Sequence, residues 1–317
     1  MELTFWTAPL EDICESLEEK IDKEVKNHSG TCFLILNKGI MRNILFALLM
    51  CFSCSGLAQV AKNHKTKLVY SCDFNEPADL NDWVMEGPGI VQIQDGKLLI
   101  HSKYFNNVEA YFAAKGGHFS GNGSEFYDAV EPAMRKDIGD KICDYYVDGV
   151  FRGGHIVYWN KFKTPGNYVI ECDFQSLSES ALHMIMFSCT GDKGQDVFDK
   201  SLKRRFGMAA QYTKGDLYNY RISFFAPGRG TSNMRKCPGR RLTIKGDDLT
   251  LKNKMGKHHL KIVKYKDTID WYINGELCFQ YVDDMEDGYL KGGQTAIRLM
   301  VPAKGLYDNY KIYEILE

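Results

Sequence analysis

The segment NMRKCPG at residues 233–239 sets an amide and two cations within four positions: Asn233, Arg235 and Lys236. A guanidinium grips a carboxylate or sulfate through paired N–H donors, and an ammonium adds a point charge. That set suits the acidic group of a charged sugar. Elimination beside a uronate needs this neutralisation together with a base for the adjacent proton and an acid for the leaving oxygen. His155, in GGHIVYWNKF, and Tyr212 are the groups expected to fill those two roles, so His155, Tyr212, Arg235 and Lys236 form the candidate catalytic set. Hydrolysis would instead need two carboxylates facing one bond. Glu109 in NNVEAYF and Asp196 in TGDKGQDVFD are the best such pair. No ExDxxE-like strand motif is present to align such carboxylates on one face, which favours elimination or unusual chemistry.

These residues must sit on strands whose two faces differ. In a strand, His155, Val157 and Trp159 point to one side while Ile156 and Tyr158 point to the other. Neither side is cleanly apolar, as expected if one face packs on a second sheet and the other lines a groove. Trp159 is then expected to stack on the C–H face of a sugar ring. In LYNYRISFF, Tyr220, Ile222 and Phe224 alternate with Asn219, Arg221 and Ser223, so Arg221 looks away from the core. Glu109, Trp159, Asp196, Arg221, Asn233 and Arg298, the last in IRLM, form the expected substrate-binding set.

Short β-type runs separated by turn signals recur along the chain, with Asp-Gly in QDGKLLI and Asn-Gly in INGELCF marking hairpins. VEAYFAA reads as one of these strands, and no stretch after Ala58 reads as a long amphipathic helix. The rhythm predicts an all-β sandwich of two antiparallel sheets. The interval from about 116 to 152 mixes glycine, charge and aromatics, and is expected to form an inserted rim or lid beside a cleft.

A formal charge of −1, from 40 basic and 41 acidic residues, supplies no global field for nucleic acid, so an anionic partner must be met by a local cluster. From Met41, MRNILFALLMCFSCSGLAQ has the layout of a secretory signal peptide with a cut before Gln59. Its apolar run is too short for a stable transmembrane anchor. The expected location is periplasmic or extracellular, with a lipoprotein cut before Cys51 or Cys54 as the alternative. Residues 1–40 carry Leu10, Ile13, Leu17, Ile21 and Val25 at helical spacing and read as a helical or spurious extension, leaving 59–317 as one domain. Six cysteines follow Ala58, an even number that permits disulfides; none has Cys-x-x-Cys spacing, so zinc is not expected. TGDKGQDVFD does not match a calcium-binding EF-hand loop.

The order HIVYW, NYVIECDF, MFSCTGDKGQDVFD, GDLYNYRISFF, NMRKCPG, IRLM and YDNYKI, from about Val69 to Ile315, resembles the YesU-like family of bacterial proteins. The resemblance implies a concanavalin A-like jelly roll and a place in polysaccharide breakdown. That fold is shared by lectins, glycanases and glycan lyases, so the site must decide among them. No cofactor is required by the expected chemistry. By analogy with other jelly-roll glycan proteins, a structural calcium would involve Asp73 and Asp308. The expected function is action on a glycosidic linkage of a polysaccharide or oligosaccharide, with noncatalytic glycan binding as the alternative.

Overall fold

The computed structural model describes residues 64–117, 125–145, 149–179 and 182–316. The expected signal segment and the residues before it lie outside the described residues. Two antiparallel sheets carry the strands. One comprises β1 (Lys65–Cys72), β3 (Gly89–Gln94), β4 (Lys97–Ser102), β6 (Tyr168–Ser176), β11 (Lys257–Tyr265), β12 (Thr268–Ile273), β13 (Glu276–Val282) and β15 (Lys304–Leu316). Its order is β13-β12-β11-β6-β15-β4-β3, with β1 also paired to β15. The other comprises β2 (Trp83–Glu86), β5 (Ile156–Asn160), β7 (His183–Gly191), β8 (Leu217–Phe224), β9 (Thr231–Cys237), β10 (Arg241–Asp247) and β14 (Gln294–Leu299), ordered β10-β9-β8-β7-β14-β5-β2.

The core lies between the sheets. Tyr168, Ile170, Cys172 and Phe174 of β6 meet Tyr220, Ile222 and Phe224 of β8 in one buried cluster, the inward half of each alternating pattern. Ile156 and Tyr158 join this cluster, as the alternation in HIVYW predicts. The two predicted hairpins form: Asp95 and Gly96, and Asn274 and Gly275, all have positive φ, the turn that matches strand twist.

Two expectations fail. VEAYFAA is helical, within α1 (Phe105–Ala114), and the inserted interval holds α2 (Phe126–Ile138) and α3 (Asp140–Tyr145). Phe126, Val130 and Met134 recur one turn apart and pack with Val108, Tyr104, Cys143 and Phe151 into a second cluster, which also takes in Met208 and Val301. Burial of that shared face, not strand pairing, decides the local structure. Gly154 permits the approach: at φ +77°, a Cβ there would lie 2.7 Å from a Val130 methyl. The six cysteines among the described residues are free thiols, five of them buried. No helix among the described residues is long and apolar enough to cross a membrane.

Candidate functional site

With Ile156, Tyr158, Ile185, Ile222, Met234, Ile297 and Leu299 turned inward, the alternating residues of the seven-stranded sheet share its outer face. Register places Arg298 opposite Val157 and Met184, and Arg221 opposite Met186 and Arg235. Arg298 and Arg221 therefore stand on strands separated only by β7 and are offset by two positions along it, roughly 12 Å apart at the backbone. Arg298 is 2% exposed and Arg221 6%. Arg235 is partly exposed, and Arg240, in the turn after β9, is exposed.

No carboxylate pairs with Arg221 or Arg298 among the described residues. Burial, reinforced by the charges of Arg298, Arg240 and Arg235, pushes the Arg221 guanidinium down to about 9. Burial likewise lowers Arg298. The Arg298 guanidinium carbon stands 5.1 Å from the Tyr212 ring centroid, a cation–π contact. Tyr212 reaches this place from the short helical turn Ala209–Tyr212 and is wholly buried. Arg298 Nε and Nη1 have no hydrogen-bond partner among the described residues, and Tyr212 Oη and His155 Nδ1 make no well-formed bond, although the Gly207 backbone lies near the former residue and the Leu299 backbone near the latter. Buried donors are normally paired, so this concentration of unmatched groups marks a place built for something else.

His155 is fully buried, and burial, then the nearby Arg298 charge, drives its pKa well below the usual imidazole value. It is neutral at pH 7. Its Nε2 lies 2.9 Å from the hydroxyl of Tyr127, on α2. Tyr127 was not legible as a site residue; the one sign was an aromatic FYDAV inside the inserted interval. Its own pKa is raised by burial.

Asn233 shares the outer face, where Thr231 Oγ1 donates to its side-chain oxygen at 2.9 Å. Trp159 points outward as predicted but offers no open ring: it is wholly buried with Val197, Tyr212 and Leu217. Lys236 is displaced from its predicted role. It points the opposite way from Arg235 and is buried in ion pairs with Asp283 at 2.9 Å and Asp287 at 2.8 Å. Asp196 accepts from Gln294 Nε2 and from the Phe198 amide, fastening its loop to β14. Glu109 lies on the exposed side of α1 and lines a separate 460 Å³ cleft with Phe112, Leu177 and Pro302. Glu109 and Asp196 therefore do not face one bond. Glu86, on edge strand β2, is held by two hydrogen bonds from Arg205 at 2.6 and 2.8 Å. Asp73 is exposed, and Asp308 is raised by burial with smaller contributions from the Asp173 and Asp73 charges. No group of three or more His, Cys, Asp or Glu side chains among the described residues is arranged to hold a metal ion.

The two-sheet fold agrees with the solved structures that this chain resembles. Residues 145–312 match the family described as a domain of unknown function, DUF1961. The chain belongs to this family. It is 28% identical over 170 residues to the uncharacterized protein YesU of Bacillus subtilis, covering 50% of this chain and 77% of that one. A crystal structure of a Bacillus subtilis protein of unknown function with a galectin-like fold superposes with a TM-score of 0.61 at 22% identity, over 80% of this chain and 99% of the other. That likeness establishes the jelly-roll fold. A kappa-carrageenase from Pseudoalteromonas carrageenovora, in complex with an oligotetrasaccharide, is similar at 12% identity and a TM-score of 0.45, over 80% and 97% of the two chains. The family match itself begins at residue 145, after α2, so Tyr127 lies outside it.

Proposed function

We propose that this protein binds an acidic glycan on the outer face of its seven-stranded sheet and cleaves it by elimination beside a uronate. The observation that carries this reading is the pair of buried guanidinium groups, Arg221 and Arg298, with no carboxylate partner among the described residues. An uncompensated buried cation is costly, and a ligand carboxylate offsets that cost. Neutralising the carboxylate acidifies the proton on the adjacent ring carbon. His155 Nδ1 takes that proton in the tautomer whose Nε2–H donates to Tyr127. The ring carbon–oxygen bond to the neighbouring sugar breaks as the carbon–carbon double bond forms, and the Tyr212 hydroxyl donates its proton to the departing oxygen. Burial raises Tyr212 well above its ordinary value, which keeps it protonated and fit to donate.

A second reading, glycan binding without turnover, is favoured by the near-complete burial of His155 and Tyr212. A panel of acidic and neutral polysaccharides given to the purified full chain separates the two. Unsaturated uronate absorbance that rises with acidic members supports elimination. New reducing ends without that absorbance point to hydrolysis, and a thermal shift without either product selects binding alone. The expected location remains export to the periplasm or the medium, where such polymers are met.

A further inference from the structure

Three arginines of the outer face, with Arg240 in the turn after β9, form an ordered series. Arg240 is exposed, Arg235 partly exposed, Arg221 6% exposed and Arg298 2% exposed. The exposed end of the series lies toward β9 and β10, and the buried end lies beside β5. Lys245 continues the exposed end on β10, in register with Asn233 of the outer face. At the buried end the face stops. Tyr127 of α2 bonds to His155, and Met208 packs into the cluster of α2. Val197 and Leu202 cover Val157 and Trp159. The His155 and Ala209 amides donate to the Gly207 and Arg152 carbonyls at 3.0 and 2.9 Å, fastening this wall to the strand.

A polymer lying across a sheet needs both ends of the face open, whereas this face is walled at one end and cationic at the other. We infer that the site takes an acidic oligosaccharide by its end, with the terminal charged sugar against Arg221 and Arg298 and the following units running out over Arg235 and Arg240. Helix α2 sets that mode, with Tyr127 as the wall residue nearest the chemistry. This inference rests on the glycan reading above and adds the direction and extent of the ligand.

The test uses the full chain with homogalacturonan, alginate and glucuronan, each as polymer and as fragments of a few units. End-on recognition predicts that the smallest products appear from the start while solution viscosity holds, and that a single uronate already shifts the melting temperature. Exchanging Arg235 and Arg240 together for Gln is expected to weaken fragments by up to about tenfold, and clearly more than it weakens the single uronate. Rapid loss of viscosity with mid-length fragments first would overturn the end-on mode and leave elimination standing. Affinity that reaches its full value with the terminal unit and its neighbours, without any product, would support the end-on mode and sink elimination. If no polyuronate, fragment or single uronate is bound or cut, both readings fall. Tyr127→Phe keeps the wall and is expected to keep the product lengths, whereas Tyr127→Ala opens it and shifts products to longer fragments.

Discussion

Moving a guanidinium out of water costs several kcal/mol unless a carboxylate or a full set of acceptors repays it, and Arg298 has two nitrogens with neither. Evolution keeps such a group where function needs it, at the expense of stability. Arg298→Met, which retains length and removes charge, is therefore expected to stabilise the ligand-free protein by about 1–3 kcal/mol, or about 2–4 °C per kcal/mol at this size. The same change should weaken a single uronate by more than about thirtyfold, because a buried charge contact is lost. Thermal melts and titration calorimetry check both halves. A lowered Tm with unchanged binding would make Arg298 a structural residue. At this scale the pleat explains what was legible. Alternation placed His155, Arg221 and Trp159 on the outer face, but adjacent Arg235 and Lys236, which read as one cationic cluster, point to opposite faces of β9. Lys236 consequently ends in an internal ion-pair network with Asp283 and Asp287.

The elements that roof the site were the part the sequence concealed. Val197 and Leu202 reach Trp159 from a loop distant in the chain, and no local pattern announces a non-local cover. In α1, Val108, Ala110 and Phe112 alternate as a strand would, while Phe105, Val108 and Phe112 equally fit one helical face; contact with α2 decides between them. Pro132 within α2 further masks its helical period. The strands and hairpins, by contrast, were readable because each local choice agrees with the final sheet. The roof depends on one joint. Arg205 bonds to both oxygens of Glu86 on β2 and to the Val197 carbonyl at 2.6 Å, with its side chain 5% exposed. Removing one partner of such a pair leaves the other buried and unmatched, at a cost of about 3–5 kcal/mol. Glu86→Gln is expected to loosen the joint and speed tryptic cleavage at Lys200, Lys203 and Arg204, already exposed on the surface, with nicking read by mass spectrometry. Cleavage no faster than in the parent protein would show that Asp196 and Gln294 hold the roof without it.

For the whole molecule, the aromatic interior sets how stability responds to acid. His183 sits between the sheets against Phe174, Phe224 and Phe225, and its Nδ1 lies 3.0 Å from the Tyr307 hydroxyl. Burial pushes its pKa down to about 3. His155 is lowered by burial as well. A folded-state pKa below the unfolded value means that the unfolded chain binds more protons between the two, so stability rises with pH there. The contribution of His183 is complete above the unfolded pKa of about 6.5 and is lost as pH falls toward about 3. Asp287, held down to about 2 by Arg241 and Lys236, adds loss in the same direction at lower pH. Asp270 and Asp308, both raised by burial, act in the opposite sense, at and above the ordinary aspartate range up to their raised values. Above the range in which those two aspartates titrate the imidazoles set the slope, and the urea midpoint is expected to fall as pH drops from about 6.5 toward that range. His183→Gln removes the titrating group while keeping a polar side chain, so its midpoint should start lower at pH 7 and decline less steeply. Equal slopes for the two proteins would show that the interior admits the charged imidazole, and that the acid response comes from the carboxylates alone.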